Sequence, residues 1–185
     1  MPVTYIKAPD NVIFMVGHAL TQWHQELYNA KIKIGVLFKF SSSEDTPAIK
    51  SNGHPVDGII TIVSSKDRLS KGYDAEITFD GDVWSHNNAE YQYGLIDHLL
   101  SRIELKPAKK KKNTSMVHGT DVEKEETAAP AYMVDNAGRP CLKLRIGDWN
   151  VGFGYEDVIR RHGENAPEYR NLTAAQNMVT SIMKD

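Results

Sequence analysis

"NNAEYQYGLIDHLLSRIEL", residues 87–105, decides how the rest of the chain is read. At about 100° per residue, Leu95, Ile96, Leu99, Leu100 and Ile103 fall within one apolar arc. Tyr91, His98 and Arg102 form a stripe along one margin of that arc, while Asp97, Ser101 and Glu104 face away. Asn87 with Glu90 three residues later predicts a capping box at the helix start. The segment is expected to be a central amphipathic helix whose margin stripe borders a cleft beside the core.

Outward from this helix, the pattern is mixed. Asp10 reads as the N-cap of a first helix that carries Val12, Val16, Ala19, Leu20, Trp23 and Leu27 and ends near Asn29. "KIKIGVLFKF" alternates strictly, as a half-buried strand does. "SSSEDTPAIKSNGHP" reads as a polar loop, "DGIITIVSS" as a short inner strand, and "YDAEITFD" as a third, alternating strand. After the central helix, residues 106–130 hold five lysines up to Lys112 and then Asp121, Glu123, Glu125 and Glu126, with little to bury. They read as a charged flexible loop or insertion. "AYMVDNAGRPCLKLRI" predicts a hairpin around "DNAG", and two helices follow over "YEDVIRRHG" and "NAPEYRNLTAAQNMVTSIMKD", the last with Leu172, Ala175, Met178, Val179 and Ile182 at helical spacing. Helices and mostly antiparallel strands in separate runs predict one α+β domain over residues 1–185.

Composition narrows the function classes. A net charge of −2 excludes a global basic field of the kind that advertises nucleic acid. One cysteine, Cys141, allows no intramolecular disulfide and suits a reducing compartment; its neighbours suggest a core position in a strand. The first residues lack the basic head and apolar run of a signal peptide, and no window approaches 18 apolar residues. A soluble cytoplasmic protein with no membrane partner is expected.

Several segments together resemble the phage metallopeptidase family, whose zincin-like domains carry a helix motif of the form D-H-E-L-C-H. "LIDH" matches its first half at Leu95, Ile96, Asp97 and His98. The first helix leading into "AKIKIGVLFKF", the strand "YDAEITFDGDVW", and "VDNAGRPCLKLR" with "YEDVIRRHG" are similar to its opening, its pre-motif segment and its close. The resemblance spans about residues 8–165 and implies a zincin-like domain: an N-terminal helix, a small mostly antiparallel sheet, a central motif helix, a hairpin and C-terminal helices.

The departures fall on the chemistry. In H-E-x-x-H, two histidines at i and i+4 hold zinc while the glutamate polarises the attacking water. Here Leu99 and Arg102 follow His98 at those positions, and Leu99 joins the apolar arc. A guanidinium brings permanent positive charge where a dication would sit. The region that would supply a histidine–aspartate pair, "IGDWNVGFGYEDV", offers Asp148 and no histidine. The resemblance therefore implies a non-catalytic, phage-type protein without a cofactor, acting in the host cytoplasm by binding and inhibiting or modulating a host protein, in an anti-defence or host-takeover role. Its candidate contact residues are Tyr91, His98, Arg102, Trp149, Phe153 and Tyr155, with the basic run Lys109, Lys110, Lys111 and Lys112.

Two alternatives stay open. One is a zinc-dependent metallopeptidase with a rearranged site, with His98 as a residual ligand and His86 and His162 as further donors. The other is a nucleic-acid-binding accessory protein using Lys109–Lys112. His18 and His24, six residues apart, are expected on different sides of the first helix and partly exposed. Arg102 is expected to pair with Asp97 or Glu104, or to lay its stem over the apolar margin.

Overall fold

A computed structural model describes residues 3–42, 46–108, 131–145 and 155–182. In chain order its elements are β1 (Val3–Lys7), α1 (Asp10–Trp23), α2 (Gln25–Asn29), β2 (Ile34–Ser41), β3 (Lys50–Ser51), β4 (His54–Pro55), β5 (Gly58–Ile62), α3 (Ser65–Lys71), β6 (Ala75–Asp80), α4 (Gly81–His86), α5 (Ala89–Ser101), β7 (Ile103–Leu105), β8 (Leu142–Leu144), α6 (Tyr155–His162), a 3-10 turn (Gly163–Asn165) and α7 (Pro167–Ile182). This is an α+β fold, with seven helices among the described residues.

The main sheet has the order β1-β2-β6-β5. Its outer pairings are antiparallel, with Tyr5 opposite Lys39 and Ile60 opposite Ile77. Its central pairing, β2 with β6, is parallel, Val36 lying opposite Ile77. The sheet is thus mixed at its centre, because the chain leaves β2 and passes through β3, β4, β5 and α3 before it returns as β6. β5, expected as an inner strand, stands at the sheet's edge in this order. Its apolar content is explained by α5 and β8, which both pack against it.

The core lies between this sheet and α1 and α5. Ala75, Ile77 and Phe79 of β6 and Ile96, Leu99 and Leu100 of α5 are fully buried, with Val12, Val16 and Ala19 of α1 beside them. Trp84 of α4 closes one end, its ring 4.4 Å from that of Phe79 and 5.6 Å from that of Phe38.

Several boundaries differ from expectation for local reasons. Asp10 is the first residue of α1, Pro9 precedes it as the cap, and no side chain caps this helix. The predicted single helix to Asn29 is broken at His24, whose backbone (φ −126°, ψ 51°) leaves the helical region and starts α2 on a new axis. The polar loop contains the small β3–β4 hairpin, turned by Asn52 and Gly53 at positive φ, and it buries Ile49. α4 separates β6 from α5: Asp80 caps it, accepting from the backbone N–H groups of Asp82 and Val83. The cap of α5 is Asn88, which accepts from Tyr91 N–H at 2.9 Å. Asn87 instead terminates α4, donating to Val83 O at 2.7 Å.

The chain also leaves α5 sooner than its apolar period suggests. Ile103 belongs to β7, which pairs antiparallel with β8, Ile103 opposite Leu144 and Leu105 opposite Leu142. The "DNAG" turn exists, with Asp135 Oδ1 accepting from Ala137 and Arg139 N–H; the isolated bridge Val134–Pro140 and the backbone bonds Asp135 N–H to Arg139 O and Cys141 N–H to Met133 O cross it, short of a regular hairpin. The partner of Leu142–Leu144 is β7 rather than the near arm of a hairpin. Cys141 precedes β8 and is half-buried. Buried Arg68 of α3 fastens this turn, donating to Val63 O and Pro140 O and pairing with Asp74 and Asp135. Among the described residues no helix is long and apolar enough to cross a membrane.

Candidate functional site on the motif helix

α5 is buried on more faces than an amphipathic helix would be. Its apolar arc packs on the sheet as expected, and Leu99 is fully enclosed. The opposite side is covered too. A Cβ on Gly94 would stand 2.5 Å from Asn165 O, so the 3-10 turn rests directly on the helix backbone at this residue.

Asp97 is the centre of the arrangement. It was expected to face away from the core, yet it is completely buried. Its Oδ1 accepts from His24 Nε2 at 2.8 Å and from one terminal guanidinium nitrogen of Arg161 at 2.9 Å. Its Oδ2 accepts from Arg161 Nε at 2.7 Å and from His162 Nε2 at 3.0 Å. Burial pushes the Asp97 carboxyl up, but the hydrogen bonds from His162, His24 and Arg161 outweigh it and hold the group well below the usual carboxylate range. One carboxylate therefore joins the α1–α2 break, the motif helix and the end of α6. The bidentate guanidinium sets the orientation of α6 against α5. His24, expected at the surface, is largely buried by this contact, whereas His18 is exposed.

The margin stripe is also engaged. His98 is 19% exposed and its Nδ1 pairs with Glu168 Oε1 of α7. Tyr91 is buried; its hydroxyl donates to Asp57 Oδ2, and the Arg170 guanidinium lies 3.7 Å from its ring centroid. Burial, with the Asp57 hydrogen bond behind it, raises the Tyr91 hydroxyl far above the ordinary phenol value. Arg102 pairs with neither of its expected partners. Asp97 is taken by α6 and His24, and Glu104 is bound by Lys143 at 2.7 Å and by Arg145. Among the described residues, Arg102 Nε is buried without a hydrogen-bond partner, as is Glu168 Oε2.

The histidines proposed for a rebuilt zinc site do not converge. His98 turns to Glu168, His162 to Asp97, and His86 donates to Asp82 O at 2.7 Å on an exposed helix end. Among the described residues no three His, Cys, Asp or Glu side chains are grouped to hold a metal ion. The residues present on α5 do not fit the zinc that an intact H-E-x-x-H motif would hold. A buried leucine occupies the glutamate position, an arginine the second histidine position, and the preceding aspartate is saturated by cationic and imidazole donors.

Two openings flank the Asp97 cluster, with Trp23 and Arg161 lining both. One, of about 620 Å³, runs along α2 past His24, Ser101 and Arg145. The other, of about 500 Å³, lies over the first half of α5 beside His18 and Tyr93. Of the other contact residues expected from sequence, Lys109, Lys110, Lys111, Lys112, Trp149 and Phe153 lie outside the described residues, as does Asp148. Tyr155 begins α6, and its side chain also lies outside them.

Sequence reasoning missed Asp97, His24 and Arg161. One signal was present: Gly94 precedes Asp97 by three residues on neighbouring helix positions, and a mid-helix glycine marks close approach by another element. No protein-family model, curated protein or solved structure matches the chain.

Proposed function

We propose that the chain is a non-catalytic binding protein on a scaffold resembling the zincin-like domain of the phage metallopeptidase family, and that it docks on a host protein and inhibits or modulates it. The observation that carries the non-catalytic half is the burial of Leu99 together with the saturation of Asp97 by His24, Arg161 and His162. Side chains at and beside the motif positions are used for packing and for fastening helices. None is left in the arrangement that water activation on a metal requires.

The resemblance supports the host-directed half. The contact surface is taken to include the opening beside Trp23, Arg145 and Arg161, residue types that favour protein interfaces, together with Trp149 and Phe153 in the glycine-rich segment. The tagged chain, passed through host extract, is expected to retain one protein that re-forms a 1:1 complex when both are purified. A Trp149→Ala/Phe153→Ala variant with unchanged circular dichroism is expected to lose it. Chelator-sensitive cleavage of a substrate by the pure chain would replace this reading with the zinc peptidase. Affinity for DNA or RNA that falls steeply with salt and vanishes when Lys109–Lys112 are neutralised would replace it with the nucleic-acid reading.

A further inference from the structure

The opening over the first half of α5 has the chemistry of a site for a soft organic cation. Four rings line it: His18 and Trp23 from α1, Tyr93 from α5 and His162 from α6, of which the first three lie nearly equidistant from one another. Their centroids are 6.2 Å apart for His18 and Trp23, 5.7 Å for His18 and Tyr93, and 6.1 Å for Trp23 and Tyr93. The corresponding interplanar angles are 90°, 65° and 85°, so no pair is stacked. Three steeply inclined planes with nearly equal separations can stand as the walls of one corner. A ring face attracts a cation over roughly 6 Å, and Trp23 already has the Arg161 guanidinium 5.8 Å from its ring centroid.

The surrounding charges favour the same occupant. Exposed Glu90 lies at the rim and is in no ion pair among the described residues; Asn165 holds it in place by donating to its Oε2 at 3.0 Å. The cation already in the wall is Arg161, and its charge is matched by Asp97 through the two bonds at 2.7 and 2.9 Å. His162 likewise points its Nε2 to Asp97, with its ring edge-on to Trp23 at a centroid distance of 4.7 Å. One uncompensated carboxylate beside three aromatic rings suits a charge that is large, weakly hydrated and surrounded by methyl groups. It suits a small, strongly hydrated metal ion poorly, because rings replace none of that ion's lost water.

We propose that His18, Trp23, Tyr93 and Glu90 form a binding site for a methylated or quaternary ammonium group. The site stands whether or not the chain docks on a host protein. The ammonium can be a free small molecule or the modified lysine side chain of a protein.

The test is calorimetric titration of the full chain at about pH 8, well above the usual imidazole range, with choline, with a trimethyllysine peptide, and with 3,3-dimethylbutanol as the neutral isostere of choline. Saturable binding of choline, with the isostere inert, is expected if the source is a free ligand. Binding of the peptide alone assigns the source to a modified protein. Glu90→Gln is expected to weaken binding about threefold to fivefold, the scale of one exposed charge contact, and Tyr93→Leu to abolish it. Failure of both ammonium ligands to saturate, equal binding of the isostere, or undiminished affinity in a folded Tyr93→Leu variant would overturn the assignment. Glu90 is exposed, so its variant tests the site even if Tyr93→Leu does not fold.

Discussion

Asp97 and His24 stand 73 residues apart in the chain and share a hydrogen bond of 2.8 Å, so the point where α1 breaks is also the point where the motif helix is anchored. With Arg161 and His162 on the same carboxylate, three elements meet at one fully buried charge. Asp97→Asn keeps the shape and removes the charge. It is expected to lower the stability of the fold by about 3 kcal/mol or more, since it leaves a partly buried guanidinium without its counter-ion. Urea titration of the two proteins at neutral pH measures the difference.

The same carboxylate predicts an acid dependence. Its value is lowered in the fold, so its contribution is complete above the unfolded-state value of 3.8 and shrinks as pH falls below it toward the folded value. The stability gap between the wild-type chain and Asp97→Asn is therefore expected to narrow as pH falls below about 4. Denaturant midpoints below about pH 4 check the sign: a gap that widens there contradicts it.

Restoring the motif should damage the protein. Leu99→Glu places a carboxylate where leucine is fully enclosed, beside Gly58, whose Cβ position is 3.0 Å from Leu99 Cδ1. An unpaired buried carboxylate costs several kcal/mol. The expected outcome is loss of the cooperative thermal transition, without any gain of peptidase activity in the double variant Leu99→Glu/Arg102→His.

Gly94→Ala tests the close approach of the 3-10 turn. The new methyl group would meet Asn165 O at 2.5 Å, a backbone atom that can move only with the turn. A loss of about 1–3 kcal/mol is expected, although alanine is the better helix former by about 1 kcal/mol. A stabilised variant would show that the turn does not rest on α5.

How much of this was legible in the sequence differs from element to element. The apolar arc of α5 and the alternation of β2 could be read because side-chain period reports burial directly, whereas β6 alternates in sequence but buries Thr78 and Asp80 of its polar face as well. The parallel pairing of β2 with β6 could not, since one strand has the same period against either kind of neighbour. β1 gave no signal: Val3, Tyr5 and Ile6 are all substantially exposed, so no face is marked as inward. The break at His24 was hidden inside an apolar period that continues to Leu27. Asp97 was misplaced for a related reason. A polar residue on the far side of a helix reads as solvent-facing unless its partners are known, and these come from distant segments.

His98 and Glu168 provide a separate check on α7, which the resemblance to the metallopeptidase family does not reach. Their partly buried pair couples the motif helix to the C-terminal helix. Each single alanine substitution is expected to cost about 1–2 kcal/mol, and the double variant little more than either alone. Additive losses in a double-mutant cycle would show that the contact contributes nothing of its own.

The proposed function requires that α5 serve packing rather than metal chemistry. The direct measurement is the zinc content of the purified full chain, and of its His98→Ala variant, after equilibration with zinc and removal of free ion by gel filtration. The expected result is zinc far below one per chain in both proteins, each folded. One zinc per chain in the wild type, lost on His98→Ala, would contradict the account.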